Sequence, residues 1–193
     1  FYNLSRDIAM RKLKEVAPQA FNFFMDKYNN SANAFFFGLA KGVATFKQTE
    51  GGAPGSPEMS FLYELGISEF VQNIADLLYE PNSSQPRKGV VAGYMDDLCW
   101  AAPFLKMVDV IKFVKARGPA YGYNLNMKKS IYLMAPSSGC SSLQQLIERI
   151  NILVALGLPI ENIKVHPRVV NCCLPSTSSE VLAKRFILLL LII

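Results

Sequence analysis

Apolar and polar positions alternate in two different periods along this chain. Ile8, Leu13 and Val16 recur at helical spacing after Ser5, and Asp7 sits in the first turn, so residues 5–16 are expected to form a helix capped by Ser5. Pro18 can open a second helix that runs to Tyr28, where Asn29-Asn30-Ser31 breaks the pattern. Residues 34–39 and 42–48 read as two short strands around Lys41-Gly42, a hairpin. A Gly- and Pro-rich loop, Glu50 to Pro57, then leads into a long apolar-periodic stretch from Phe61 to Tyr79. Ser56 and Pro57 supply its cap and first residue, and Pro81 stops it. Residues 81–88 are polar and read as a surface loop.

The second half begins with two short apolar runs, Val90 to Tyr94 and Leu98 to Ala101, expected as buried strands. Phe104, Met107, Val108, Ile111 and Val114 mark a helix ended by Gly118-Pro119. Residues 121–125 and 130–134 read as strands around Asn126-Met127-Lys128-Lys129. Ser142 and Gln145 form a capping box for a helix to Leu156, with Gly157 as its stop. Residues 158–180 have no clear period, and 185–193 reads as a buried strand that periodicity alone does not separate from a helix. Helices and hairpins mix without regular strand–helix alternation, which predicts an α+β fold.

Composition narrows the class. The chain has 193 residues, 51% hydrophobic and 18% charged, enough to bury a sizeable core in one domain with at most a fragment of a second. No secretory leader opens it and no apolar run approaches the roughly 20 residues of a membrane span. An intracellular location, nucleus or cytoplasm, and no membrane partner are the expectation. Phe1 and Ile193 read as the abrupt ends of a fragment. Twenty Lys and Arg against 15 Asp and Glu give a net charge of +5, compatible with a nucleic-acid partner. Cys99, Cys140, Cys172 and Cys173 contain no C-x-x-C pair, and His166 is not spaced to join them. Reduced and mostly buried thiols are expected, with neither a zinc site nor a disulfide framework. His166 reads as structural or solvent-exposed.

The sharpest chemical feature is Tyr94-Met95-Asp96-Asp97 between two apolar strands. An isolated Asp-Asp is usually a polar turn. Here two carboxylates that repel each other stand beside apolar strands, and divalent cations would supply a reason, since magnesium prefers hard oxygen ligands. Two such ions about 3.5–4 Å apart clamp the attacking and leaving oxygens of a phosphoryl transfer.

Tyr-Met-Asp-Asp on a strand–turn–strand resembles the catalytic hairpin of reverse transcriptases. Three further stretches match that family in order. Glu50-Gly51-Gly52-Ala53-Pro54-Gly55-Ser56-Pro57 is similar to its template- and nucleotide-facing loop, Gly-x-x-Gln-Gly-Asp/Cys-Pro. Gly122-Tyr123-Asn124-Leu125-Asn126-Met127-Lys128-Lys129-Ser130 looks like its Gly-Leu-x-x-Asn-x-x-Lys-Ser/Thr motif. Phe1-Tyr2-Asn3-Leu4-Ser5-Arg6 resembles the tail of Asp-x-x-x-Ala-Phe-Asn-x-x-Ser-Arg. The spacing is most like the non-LTR retrotransposon and group II intron enzymes.

The resemblance implies a palm-like antiparallel sheet with a catalytic hairpin packed on helices. Residues 1–136 would be a partial palm, without fingers and most of the thumb, and 137–193 a poorly matched segment holding an insertion and the last palm strand. The implied activity is RNA-directed DNA polymerisation, the attack of a DNA primer 3′-hydroxyl on a dNTP along an RNA template. Asp96 and Asp97 would be the catalytic, metal-ligating pair for two Mg2+ ions, with Mn2+ as a substitute. Lys129 would lie near the triphosphate and protonate the leaving pyrophosphate. Phe1 would be the gate that excludes a 2′-hydroxyl. Gly55 would let the backbone approach the incoming base pair. Tyr94 and Met95 would flank the carboxylates on the substrate side, and Asn126 would hold the turn before Lys129.

Two departures stand beside the match. The family's first catalytic Asp would fall five positions before Phe1, so this stretch alone is expected to be inactive. Pro54 replaces the loop's Gln and Ser56 its Asp or Cys, which removes a backbone donor and an amide. A rival reading is therefore a non-catalytic nucleic-acid-binding or interaction relic that keeps the palm fold. A third is an unrelated α+β interaction protein with an accidental Asp-Asp turn. Tyr121, Tyr123 and Tyr132 could stack on bases, but strand tyrosines are more often packing groups.

Overall fold

The structure, a computed structural model, describes residues 3–28, 32–38, 42–48, 51–52, 57–79, 89–94 and 97–173, with backbone alone at 32–38, 42–48, 57 and 94. The order of elements is α1 (Arg6–Val16), α2 (Pro18–Tyr28), β1 (Ala32–Gly38), β2 (Gly42–Gln48), α3 (Pro57–Leu77), β3 (Val90–Tyr94), β4 (Asp97–Ala101), α4 (Phe104–Arg117), β5 (Tyr132–Met134), α5 (Leu143–Ala155), β6 (Ile163–Val165) and α6 (Pro167–Cys173). The mixed α+β class follows from this order. The strands form three separate pairs among the described residues: β1–β2 and β3–β4 antiparallel, β5–β6 parallel.

The chain divides into two compact units, Phe1–Ala101 with Phe113–Asn124, and Ala102–Lys112 with Leu125–Ile193. In the first unit, α1 packs on both α2 and α3. Leu4, Ala9, Met10, Leu13, Phe24 and Ile67 belong to its buried cluster. Ser5 stands at the N-cap of α1 with an extended backbone, but its hydroxyl makes no cap bond. Pro18 begins α2, where a missing N–H costs nothing. Lys27 of α2 pairs with Glu58 in the first turn of α3. A second aromatic centre forms around the fully buried Phe70, whose ring lies 5.3–5.7 Å from those of Phe113, Tyr121 and Tyr123.

In the second unit, α5 lies between the two strands of the parallel pair in sequence, as a crossover connection requires. Ser142 caps α5 by accepting from the Gln145 amide at 3.2 Å. The Gln145 side chain reaches back to the Ser141 N–H at 3.1 Å, one residue earlier than a strict capping box. Leu146, Ile150 and Leu153 turn the apolar face of α5 inward. The Arg149 guanidinium lies 5.0 Å from the centre of the Phe104 ring and donates to the Ser138 carbonyl at 2.7 Å.

Several expectations are corrected. Residues 121–125 form no strand: Gly118–Tyr121 is a 3-10 turn and Gly122 takes φ 79°, a left-handed conformation that ends it. The segment 158–180 contains β6 and α6, elements too short to show a period. β3 and β4 are not buried strands: Val90, Ala92, Gly93, Asp97, Cys99 and Ala101 are exposed. Two of the four thiols, Cys99 and Cys172, are exposed as well. The readings at 29–31, 81–88 and 185–193 lie outside the described residues. No helix among the described residues is long and apolar enough to cross a membrane.

Candidate functional site

The register of the β3–β4 hairpin runs from Val90 opposite Ala101 to Tyr94 opposite Asp97. Met95 and Asp96 are the two residues between that last pair, and they lie outside the described residues, as do Phe1, Pro54, Gly55 and Ser56. Along β4 the side chains alternate, exposed at Asp97, Cys99 and Ala101 and half-buried at Leu98 and Trp100. That alternation is the period-2 geometry of a strand with one covered face. It puts Asp97 on the open face, at the hairpin end, where a carboxylate can take a cation or a hydrogen-bond donor from solution. Behind the hairpin a cavity of about 500 Å³ is lined by Glu64, Ile67, Ser68, Val71 and Gln72 of α3 and by Val90 and Gly93 near or on β3. Among the described residues no cluster of three or more His, Cys, Asp or Glu side chains is arranged around a metal position.

The described parts of three motif stretches meet in the first unit. The Gly51 N–H donates to the Leu4 carbonyl at 2.9 Å. Arg6 donates from Nε to the Gly51 carbonyl at 2.6 Å and from Nη1 to the Tyr28 carbonyl at 3.1 Å. Gly51 needs its positive φ of 63° to present both groups to this segment. A side chain at Gly52 would strike Met59. From the other direction Gly122 lies so close that a Cβ there would strike the Asn3 carbonyl. Residues 3–6, 51–52 and 122–123 therefore form one hydrogen-bonded and close-packed junction. Arg6 is its anchor, a role that no single-stretch reading reveals because its partners are 22 and 45 residues away.

Asn126 and Lys129 belong to the second unit. The turn they share is closed on the Asn126 carbonyl, which accepts from the N–H groups of Lys129 and Ser130 at 3.0 Å and from the Ser130 hydroxyl at 2.9 Å. The carbonyl of Lys128 accepts from the Asn162 amide at 2.9 Å, so the turn is tied to the segment before β6. The Lys129 side chain is exposed.

The tyrosines are packing groups. Tyr123 and Tyr132 are buried, and Tyr132 meets Phe104 edge to face. Burial, then the Glu69 carboxylate that accepts from it at 3.3 Å, raise the Tyr121 hydroxyl above its ordinary pKa. Burial likewise raises Tyr132. His166 is structural: its Nδ1 accepts from the Arg168 N–H at 3.2 Å at the start of α6.

No protein-family model, curated protein or solved structure matches the chain.

Proposed function

We propose that the chain is part of the palm of a retroelement RNA-directed DNA polymerase, of the non-LTR or group II intron type, working inside the cell. The observation that carries this reading is the hairpin: Tyr-Met-Asp-Asp spans the end of a two-stranded antiparallel ribbon whose last paired residues are Tyr94 and Asp97. The junction of residues 3–6, 51–52 and 122–123 adds support, because it unites stretches that match the family in order.

In this reading Asp97, exposed at the hairpin end, and Asp96 beside it hold magnesium. A solvent-exposed carboxylate such as Asp97 fits that ion, which keeps several waters and takes one or two protein carboxylates together with substrate phosphates. Bound there, magnesium supplies charge neutralisation for a dNTP triphosphate. The rest of the role falls to the chain: the Asn126 turn presents Lys129 to solvent as a cation for phosphate, and Arg6 holds Gly51. RNA template, DNA primer and dNTP are the partners. Positioning and electrostatics carry most of such a reaction.

A second reading, a non-catalytic nucleic-acid-binding relic, is favoured by Pro54, which stands where the family has a glutamine. Primer extension in magnesium separates the two. The assay uses the product of the native transcript that contains these residues, alongside Asp96→Asn and Asp97→Asn variants. Extension that falls by 100-fold or more in both variants is the expected outcome, on the scale of losing a catalytic electrostatic group. Equal extension in all three proteins, or none in any, rejects the polymerase reading. Retained binding of a template–primer duplex in the latter case selects the relic.

A further inference from the structure

Cys140 lies in the turn before α5 and Cys173 ends α6, 33 residues later. Their sulfurs are 3.6 Å apart, and Cys173 Sγ also lies 3.7 Å from the Cys140 carbonyl. Both thiols are buried, at 7% and 3% exposure, whereas Cys99 and Cys172 are open to solvent. Two thiols in van der Waals contact have only about 1.5 Å to close to reach the roughly 2.05 Å of a disulfide bond.

We propose that Cys140 and Cys173 are a redox-labile pair that closes to an intramolecular disulfide under a small disulfide oxidant of the glutathione type. The step is two successive exchanges. The thiolate of one cysteine attacks a sulfur of oxidised glutathione, the glutathione S–S bond breaks, and one glutathione thiolate leaves. The second cysteine then attacks the protein-bound sulfur, the mixed disulfide breaks, and the second glutathione leaves. The two protons released by the cysteines end on the two glutathione thiols. The protein loses two electrons and the oxidant gains them.

Access comes through the end of α6. That helix has seven residues, of which Val169 and Cys173 are buried, so its last turn opens at small cost. Burial, and after it the hydrogen bond with Cys140, push the Cys173 thiol up to about 12. The closed pair is therefore protonated and slow to react, and reaction follows opening. The disulfide, once formed, ties α6 to the entry of α5 and closes a long loop, which restricts the unfolded chain. The inference rests on the geometry of the second unit and holds whichever reading of the Asp-Asp hairpin is right.

The test treats the reduced 193-residue chain with oxidised glutathione under native conditions, quenches with acid, alkylates the remaining thiols and maps tryptic fragments by mass spectrometry. Cys172 and Cys173 share one tryptic fragment, so Cys172→Ser is examined beside the wild type. The expected product joins fragments 130–149 and 169–184 in both proteins, at tenfold or more over any link to Cys99. In guanidinium that preference disappears. Oxidation also raises the thermal midpoint by about 5 °C or more, and reduction with dithiothreitol reverses it. Absence of the 140–173 link in Cys172→Ser, or a native yield no higher than in guanidinium, overturns the proposal.

Discussion

Removing the Arg6 side chain tests the junction that joins the motif stretches. In Arg6→Ala the carbonyls of Gly51 and Tyr28 each lose a charged donor, at 2.6 and 3.1 Å in the intact protein. A hydrogen bond to a charged group contributes about 1.5–3 kcal/mol. Arg6 is only half-buried, so water replaces part of what is lost and the lower end of that range applies to each bond. Two bonds then give a loss of about 2–4 kcal/mol, well outside the ±0.5 kcal/mol or so of an ordinary surface change. For a chain of this length that is a fall in thermal midpoint of roughly 5–15 °C. The global value is read from urea unfolding. The local one is read from hydrogen exchange at the Gly51 amide, which donates to Leu4 and is expected to lose protection before the helices do. Arg6→Lys keeps the charge but cannot reproduce the two-pronged donation, and is expected to fall between wild type and alanine. A loss under about 0.5 kcal/mol with Gly51 still protected would refute the anchoring role.

Other perturbations follow from the same structure. Gly122→Ala combines a positive φ with a collision on the Asn3 backbone, and is expected to cost about 3 kcal/mol or more by denaturant unfolding. Ser142→Ala removes the α5 cap and is expected to cost about 1 kcal/mol, with Ser142→Asp close to wild type. Phe70→Ala empties the centre of the aromatic cluster; a loss of about 3–5 kcal/mol and weaker near-ultraviolet dichroism are expected. The Cys173 thiol is raised in the folded state from about 9.0 to about 12, so its contribution is fully present below pH 9 and is lost as pH climbs toward 12. The wild type should therefore lose thermal stability over that range faster than Cys173→Ala, in dithiothreitol.

Elements with strong local chemistry were readable from the chain alone. Pro18 at a helix start, Ser142 with Gln145 at another, and two apolar runs around Met95-Asp96 all lead to elements at the expected places. What escaped depends on distant partners. Tyr121, Tyr123 and Leu125 have the propensity of a strand, but Phe70 of α3 draws the two tyrosines into an aromatic cluster, and Gly118 and Gly122 bend the backbone to allow it. Tertiary packing overrides β-propensity there. β6 is three residues long and exists as a strand only through its pairing with β5, which the strand reading at 130–134 did locate, at a separation no window of sequence spans. The candidate site divides in the same way. The hairpin end that carries Asp97 was legible from the two apolar runs that flank it, whereas its place on an open face was not, because those runs read as buried strands. The anchoring by Arg6 was not, because it needs Gly51 and Tyr28 brought to it by α1 and α2 packing.

The aromatic cluster also has a consequence for biosynthesis. The buried group around Leu4, Leu13, Phe24 and Ile67 is complete once the chain through about residue 70 has left the ribosome. Phe70 is not so fortunate, because its covering rings are contributed by Phe113, Tyr121 and Tyr123. At about 5–20 residues per second, the 53 residues from Phe70 to Tyr123 take roughly 3–10 s to make. For that interval a nascent chain carries a half-built domain with a bare phenylalanine on its longest helix. Holdase chaperones act on such a surface, and a synonymous codon change that slows translation between residues 70 and 123 would lengthen the exposure without altering the protein.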